Sequence, residues 1–231
     1  MFFAAAFTWV DGCESDPATA FAVNRDAPAA AAKAAARQGS AFVFYSTEYV
    51  FDGVAEPYAE NDPVRPLSVY GQSKLEGERA VLTAHPDALV LRTSGIYGLD
   101  RQERNFVYQV LRRARSGGQM KVPADQRSCP TYLEDLAAAS ITLVGKRLSG
   151  VFHVTGPEIA NRYEFAREIC KVFALDPVFL EPVTTASLDQ KAARPLFGGL
   201  STDRVRRLGI TLRRPAEGLV AMREALEGKR G

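Results

Sequence analysis

The run from Phe42 to Glu78 constrains the fold more than any other stretch of the 231 residues. It opens as Ala41-Phe42-Val43-Phe44-Tyr45, aromatic and β-branched residues that suit a pleated, buried strand, and ends on two hydroxyls, Ser46 and Thr47. A loop follows from Glu48 to Gly53. Beyond Pro63 and Pro66, the stretch Ser68-Val69-Tyr70-Gly71-Gln72-Ser73-Lys74 leads into a helix ending near His85-Pro86. A further strand is expected at Ala88 to Leu91, and strand–helix–strand alternation of this kind is the unit of a parallel α/β sheet. In such a sheet, groups at strand ends and on the following helices meet at the carboxyl edge.

Tyr70 and Lys74 lie four residues apart, so one helical face carries both. A phenol with a reference pKa of about 10 is a poor acid at neutral pH, and an ammonium within ~4–6 Å would favour the phenolate and lower that pKa. The expectation is a general acid, Tyr70, tuned by Lys74. Thr47, at the neighbouring strand end, would hydrogen-bond the same carbonyl oxygen and stabilise the alkoxide formed when a hydride arrives. The three residues describe carbonyl reduction.

The strings Ser46-Thr47-Glu48-Tyr49-Val50-Phe51-Asp52-Gly53, Pro57-Tyr58-Ala59-Glu60 and Pro66-Leu67-Ser68-Val69-Tyr70-Gly71-Gln72-Ser73-Lys74-Leu75-Glu76-Gly77-Glu78 resemble the extended short-chain dehydrogenase/reductases. Within them the pattern is most similar to the dTDP-4-dehydrorhamnose reductase family, which reads STDYVFDG, PYxE and PLxxYGxSKxxGE. The resemblance implies NADPH (or NADH) as cofactor and a nucleotide sugar with a 4-keto group as substrate. It assigns catalysis to Thr47, Tyr70 and Lys74. Cofactor contacts fall to Ala4, Ala5, Ala6, Tyr70, Lys74 and Thr93, and substrate contacts to Glu48, Tyr49, Phe51 and Arg194. The same resemblance leaves open a non-catalytic binding protein of this fold, such as the regulatory β subunit of methionine adenosyltransferase.

The likeness continues along the chain. Ala4-Ala5-Ala6-Phe7-Thr8-Trp9-Val10-Asp11 is similar to the family's segment against the cofactor's adenosine half, with Phe3 where Asn is usual, and Val23-Asn24 to a pair that supports the site. Arg92-Thr93-Ser94-Gly95-Ile96-Tyr97-Gly98 resembles RTSWxYG. Gly95 there replaces a Trp that borders the sugar, which implies a wider substrate pocket. Ala124 to Leu136 and Ala193 to Thr202 resemble two further family segments. The Gly-rich turn on which a dinucleotide's pyrophosphate rests is not found, and the chain starts inside a strand that family members reach after some sixty residues. Residues 1–231 by themselves are therefore expected to bind dinucleotide poorly. The expected architecture is α/β: a truncated Rossmann-like parallel sheet, residues 1–97 plus a strand near 150–156, with residues 98–231 as a smaller substrate-binding portion.

Composition narrows the alternatives. A formal net charge of +2 gives no cause to expect a polyanionic partner, and Arg112-Arg113-Arg115 and Arg204-Arg206-Arg207 read as solvated helix faces, so no nucleic acid is expected. Cys13, Cys129 and Cys170 are odd in number and lack metal-like spacing, reading as free thiols of a cytoplasmic protein with no metal. Apolar Phe2 to Phe7 is too short to span a bilayer and lacks a basic flank, so no membrane association is expected. A homodimer is left open. His153 and His85 read as structural.

Overall fold

The computed structural model describes residues 1–228, so the last three residues of the expected 98–231 portion lie outside the described residues. Four parallel strands form the central sheet in the order β1-β2-β3-β8, with β1 at Phe2–Phe3, β2 at Val43–Thr47, β3 at Leu89–Thr93 and β8 at Gly150–His153. Between β1 and β2 run α1 (Val10–Ser15), α2 (Pro17–Phe21), a π-helical segment Ala22–Asp26 and α3 (Ala27–Arg37). α4 (Val69–Ala84) links β2 to β3, and its N-cap Ser68 accepts a hydrogen bond from the Gly71 amide. From Pro17 to Arg37 the chain is thus helical in three successive segments.

Side chains on β2 and β3 alternate between the sheet's two faces. Phe42, Phe44, Ala88 and Val90 pack with Ala32, Ala35 and Val81 of α3 and α4, while Val43, Leu89 and Leu91 pack with Leu136, Ala139 and Leu143 on the other side. Being covered on both faces, these strands read as continuous apolar runs.

Past β3 come β4 (Ile96–Tyr97), α5 (Phe106–Ser116), β5 (Met120–Pro123), β6 (Arg127–Ser128), β7 (Thr131–Tyr132) and α6 (Leu133–Gly145). After β8 come β9 (Ala160–Asn161), α7 (Arg162–Val172), β10 (Leu180–Val183), α8 (Asp203–Arg206) and α9 (Pro215–Gly228). α5, α7, α9 and β5 enclose a separate core around Tyr97, Val110, Ile169, Leu219 and Met222. The division by sequence at residue 97 is not the division in space. α6, with Val205, Ile210 and Leu212, supplies the apolar cover of the sheet's second face, because a parallel sheet with one face bare would leave Val43 and Leu91 in water.

The strand in which the chain starts is only two residues long, Phe2–Phe3. Ala4 and Ala5 are exposed rather than packed, since the chain leaves the sheet after Phe3 and methyl side chains bring little burial to hold it there.

Candidate active site

The carboxyl ends of β2 and β3 carry the cleft. Thr47 and Thr93 are register partners at the last paired position of these strands, and both line a cavity of about 370 Å³ together with Thr8, Glu48, Tyr49 and Tyr70. Tyr70 reaches it from the first turn of α4, one residue before Gly71. A Cβ at Gly71 would stand 2.2 Å from the Tyr49 carbonyl oxygen, so only glycine lets this helix end press against the Tyr49 loop. That approach places the Tyr49 ring edge-on to Tyr70, with ring centroids 5.4 Å apart.

The Thr47 hydroxyl donates to the Glu48 carboxylate at 2.9 Å and accepts from the Tyr49 amide at 3.2 Å. Burial pushes the Glu48 carboxyl above the usual carboxylate range, against the opposing pull of hydrogen bonds from Thr47, its own backbone and Ser94. Glu48 was expected to touch substrate. It also controls which way the Thr47 proton points, and the sequence did not suggest that role.

Lys74 does not stand in the cleft. It is 2% exposed; its Nζ donates to the Tyr45 carbonyl and sits 4.0 Å over the Phe44 ring. Burial lowers its pKa to about 8, with Glu78 acting in the opposite direction. The expected lowering of the Tyr70 pKa by Lys74 is not observed. Burial and the Glu48 charge push the phenol well above its ordinary value, with the Thr47 hydroxyl acting the other way, because the ammonium is engaged beneath the sheet end. Tyr70 is consequently a protonated phenol at neutral pH, the state a proton donor requires.

A buried polar network fixes α4 on the sheet. Glu78, one turn beyond Lys74, forms a bidentate ion pair with Arg92 of β3 (2.9 and 2.8 Å) and accepts from Ser46. Both charged side chains are at most 5% exposed. On the other side of α4, Asn24 lies in the π-helical segment, exchanges hydrogen bonds with the Phe7 backbone (2.8 and 3.1 Å) and donates to Ser73 at 3.0 Å. The Val23-Asn24 pair therefore braces the loop after β1 against the helix that carries Tyr70.

Two substrate expectations change. Phe51 is fully buried and stacks on Tyr58 with centroids 4.2 Å apart, so it packs the core beneath the cleft, where an apolar ring is drawn from water. Arg194 is ion-paired with Asp11 at 2.8 Å and ties the segment after β10 to α1. The arginine that does enter the cleft is Arg162, at the start of α7, together with Arg127, which pairs with Glu56. The sequence offered no spacing or periodicity that would single out Arg162. His153 is fully buried within β8 and lies edge-on to Phe51.

The residues present fit a dinucleotide cofactor at one point that the structure itself marks. The Thr93 hydroxyl is buried in the cleft wall with no hydrogen-bond partner among the described residues, and such a group calls for one. Ala4 and Ala5 lie exposed on the loop leading to Thr8, which lines the same cleft.

Comparison with known proteins agrees with this geometry. A dTDP-4-dehydrorhamnose reductase of Sinorhizobium fredii is 40% identical over 220 residues, covering 90% of this chain and 74% of its own length. Among solved structures, a dTDP-4-dehydrorhamnose reductase from Clostridium acetobutylicum superposes with a TM-score of 0.92 at 35% identity, over 98% of this chain and 80% of that one. One from Bacillus anthracis, in complex with NADP, gives 0.91 at 31% identity, over 96% and 78%. The sheet is accordingly the Rossmann-like α/β sheet of these reductases. The RmlD substrate binding domain family matches residues 1–227, nearly the whole chain, and it is to this family that the protein belongs.

Proposed function

We propose that this chain is a reductase of the dTDP-4-dehydrorhamnose type, reducing the 4-keto group of a nucleotide sugar with NADPH. The observation that carries the reading is the convergence of the Thr47 and Tyr70 hydroxyls on one cleft at the carboxyl edge of the sheet. NADPH supplies the hydride when bound. The chain's own residues hold and protonate the other end of the reacting bond. Thr47 turns its hydroxyl proton from the Glu48 carboxylate toward the carbonyl oxygen. Tyr70, a phenol kept protonated by burial, gives its proton to the alkoxide, a stronger base than the phenolate left behind.

Within this reading Thr93, Tyr70, Lys74 and the Ala4–Ala6 loop serve the cofactor, and Glu48 and Tyr49 the sugar. Lys74 reaches the cofactor only when its Nζ leaves the Tyr45 carbonyl. The four-stranded sheet with its cover from α3, α4 and α6 forms the cofactor side, and the core of α5, α7 and α9 backs the substrate side. The three cysteines are free and buried, as suits a cytoplasmic enzyme, and no helix of the described residues is long and apolar enough to cross a membrane. No observation favours the non-catalytic reading.

The test is keto-sugar reduction by the wild type and by Tyr70→Phe at saturating NADPH. Tyr70→Phe keeps the ring that packs against Tyr49, so folding should survive while turnover falls by roughly 10²–10⁴-fold. Equal rates would remove Tyr70 from the mechanism, and an inactive wild type with every keto-sugar tried would overturn the reading.

A further inference from the structure

The first turn of α4 carries Tyr70, and the leading amides of a helix have no acceptor within it. Ser68 caps the Gly71 amide at 3.2 Å. The Val69 amide, directly before Tyr70, is capped from another helix. It donates to Oε1 of Glu14, on α1, at 2.8 Å across 55 residues of sequence.

α1 is itself anchored. Gly12 is buried against the Trp9 ring, where a Cβ would stand 2.5 Å from Cε3. Asp11 accepts from the Ala192 amide at 3.0 Å and pairs with Arg194 at 2.8 Å, and the Ser15 hydroxyl accepts from Lys191 at 3.1 Å. The helix that holds Val69 is therefore a fixed post. On its other side the first turn of α4 presses Gly71 onto the Tyr49 carbonyl, and the Tyr49 ring lies edge-on to Tyr70. Glu14 grips the turn at Val69 and the Tyr49 loop grips it at Gly71. Tyr70 is the residue between the two points.

We propose that Glu14 is a positioning residue for the reaction: its carboxylate holds the start of α4 and so fixes where the Tyr70 hydroxyl meets the keto oxygen. Glu14 is not on the cleft wall, although Thr8 and Val10 just before it are, so it acts through α4. Its charge also complements the positive end of the helix dipole. That attraction runs along the helix axis and leaves rotation about the axis free, whereas a hydrogen bond to one named amide fixes the rotation that would swing the phenol. The directional bond is therefore the part that matters. The inference rests on the reductase reading for the role of Tyr70, but the grip on Val69 can be measured without turnover.

Keto-sugar kinetics at saturating NADPH, and amide hydrogen exchange without substrate, test it on the wild type, Glu14→Gln, Glu14→Asp, Glu14→Ala and Asp16→Ala. Glu14→Gln keeps an acceptor at the same reach and loses the charge. Glu14→Asp keeps the charge and falls one methylene short, a small change that folding should survive. Glu14→Gln should therefore turn over like the wild type, while Glu14→Asp and Glu14→Ala should lower kcat by about 10- to 100-fold, the scale of a slightly misplaced reacting group, with the KM for the keto-sugar unchanged. Val69 amide exchange should speed up in the same two variants. Asp16→Ala removes a cap away from the cleft, the bond from the Thr19 amide at 3.0 Å, and its kcat should hold even where its Tm falls. Turnover kept by Glu14→Asp and lost by Glu14→Gln would overturn the proposal, since charge alone would then be acting, and so would an equal loss of kcat in Asp16→Ala. Faster Val69 exchange in Glu14→Asp, with a wild type that reduces no keto-sugar, would uphold the grip and overturn the reductase reading. An active wild type whose kcat is unchanged in Glu14→Asp and Glu14→Ala would do the reverse.

Discussion

Lys74 and Glu48 are held in environments that oppose their charges. With a folded-state pKa of about 8 against 10.5, Lys74 is harder to charge in the native protein than in the unfolded chain. The sign follows directly. The cost is full below about pH 8, declines as pH rises toward 10.5, and vanishes above it. Lys74→Met should therefore be more stable than the wild type at pH 7, by an amount on the order of 3 kcal/mol or less, while losing reductase activity. The gap should close by pH 10.5, and melting curves across that range check it. For Glu48 the folded pKa is raised above 4.5, so the native state is progressively disfavoured as pH climbs from that value. Glu48→Gln should gain stability relative to the wild type as pH rises above 4.5, and melting curves of the two proteins across that range check it.

At the scale of elements, α4 is the part whose placement decides the site. Tyr70, Lys74 and Glu78 repeat every fourth residue along one face, and the Glu78–Arg92 pair sets that face against β3. Glu78→Gln leaves Arg92 buried and uncompensated, and should cost about 3–5 kcal/mol. Arg92→Met with Glu78→Met together should cost much less, and a double-mutant cycle read by denaturant unfolding measures the difference. Gly77 fixes the opposite side, where a Cβ would stand 2.2 Å from the Asn24 carbonyl oxygen. Gly77→Ala should destabilise by roughly 1–3 kcal/mol and lower turnover together, because the helix and the π-helical segment must separate. Unfolding and rate measurements on the same preparation check whether the two losses coincide.

Over the whole molecule, the sheet and its helices place the reacting groups, and α5, α7 and α9 close around a core of their own. Sequence reading placed β2, α4 and β3 within a residue or two at most ends, because their apolar periods and caps are local signals. Asn105 and Asn161 cap α5 and α7, and Asn161 forms a reciprocal capping box with Glu164. The π-helical segment escaped notice, since a π turn in an alanine-rich run leaves no compositional mark and depends on Asn24 reaching Phe7 and Ser73.

What the sequence determined by itself was chemistry carried on short spacings: the strand ending at Thr47, the helix face with Tyr70 and Lys74, and the alternation that makes the sheet parallel. What only the tertiary structure decided was partnership across long separations. Arg194 goes to Asp11, 183 residues away, and Lys74 to the Tyr45 carbonyl, 29 residues away. Arg162 is left with none of the described carboxylates. The physical reason is that a helix or strand is selected by its own neighbours in sequence. Whether a buried charge faces a counter-ion, a carbonyl or an open cavity is set by whatever the folded chain brings beside it, and that determines its pKa and its use.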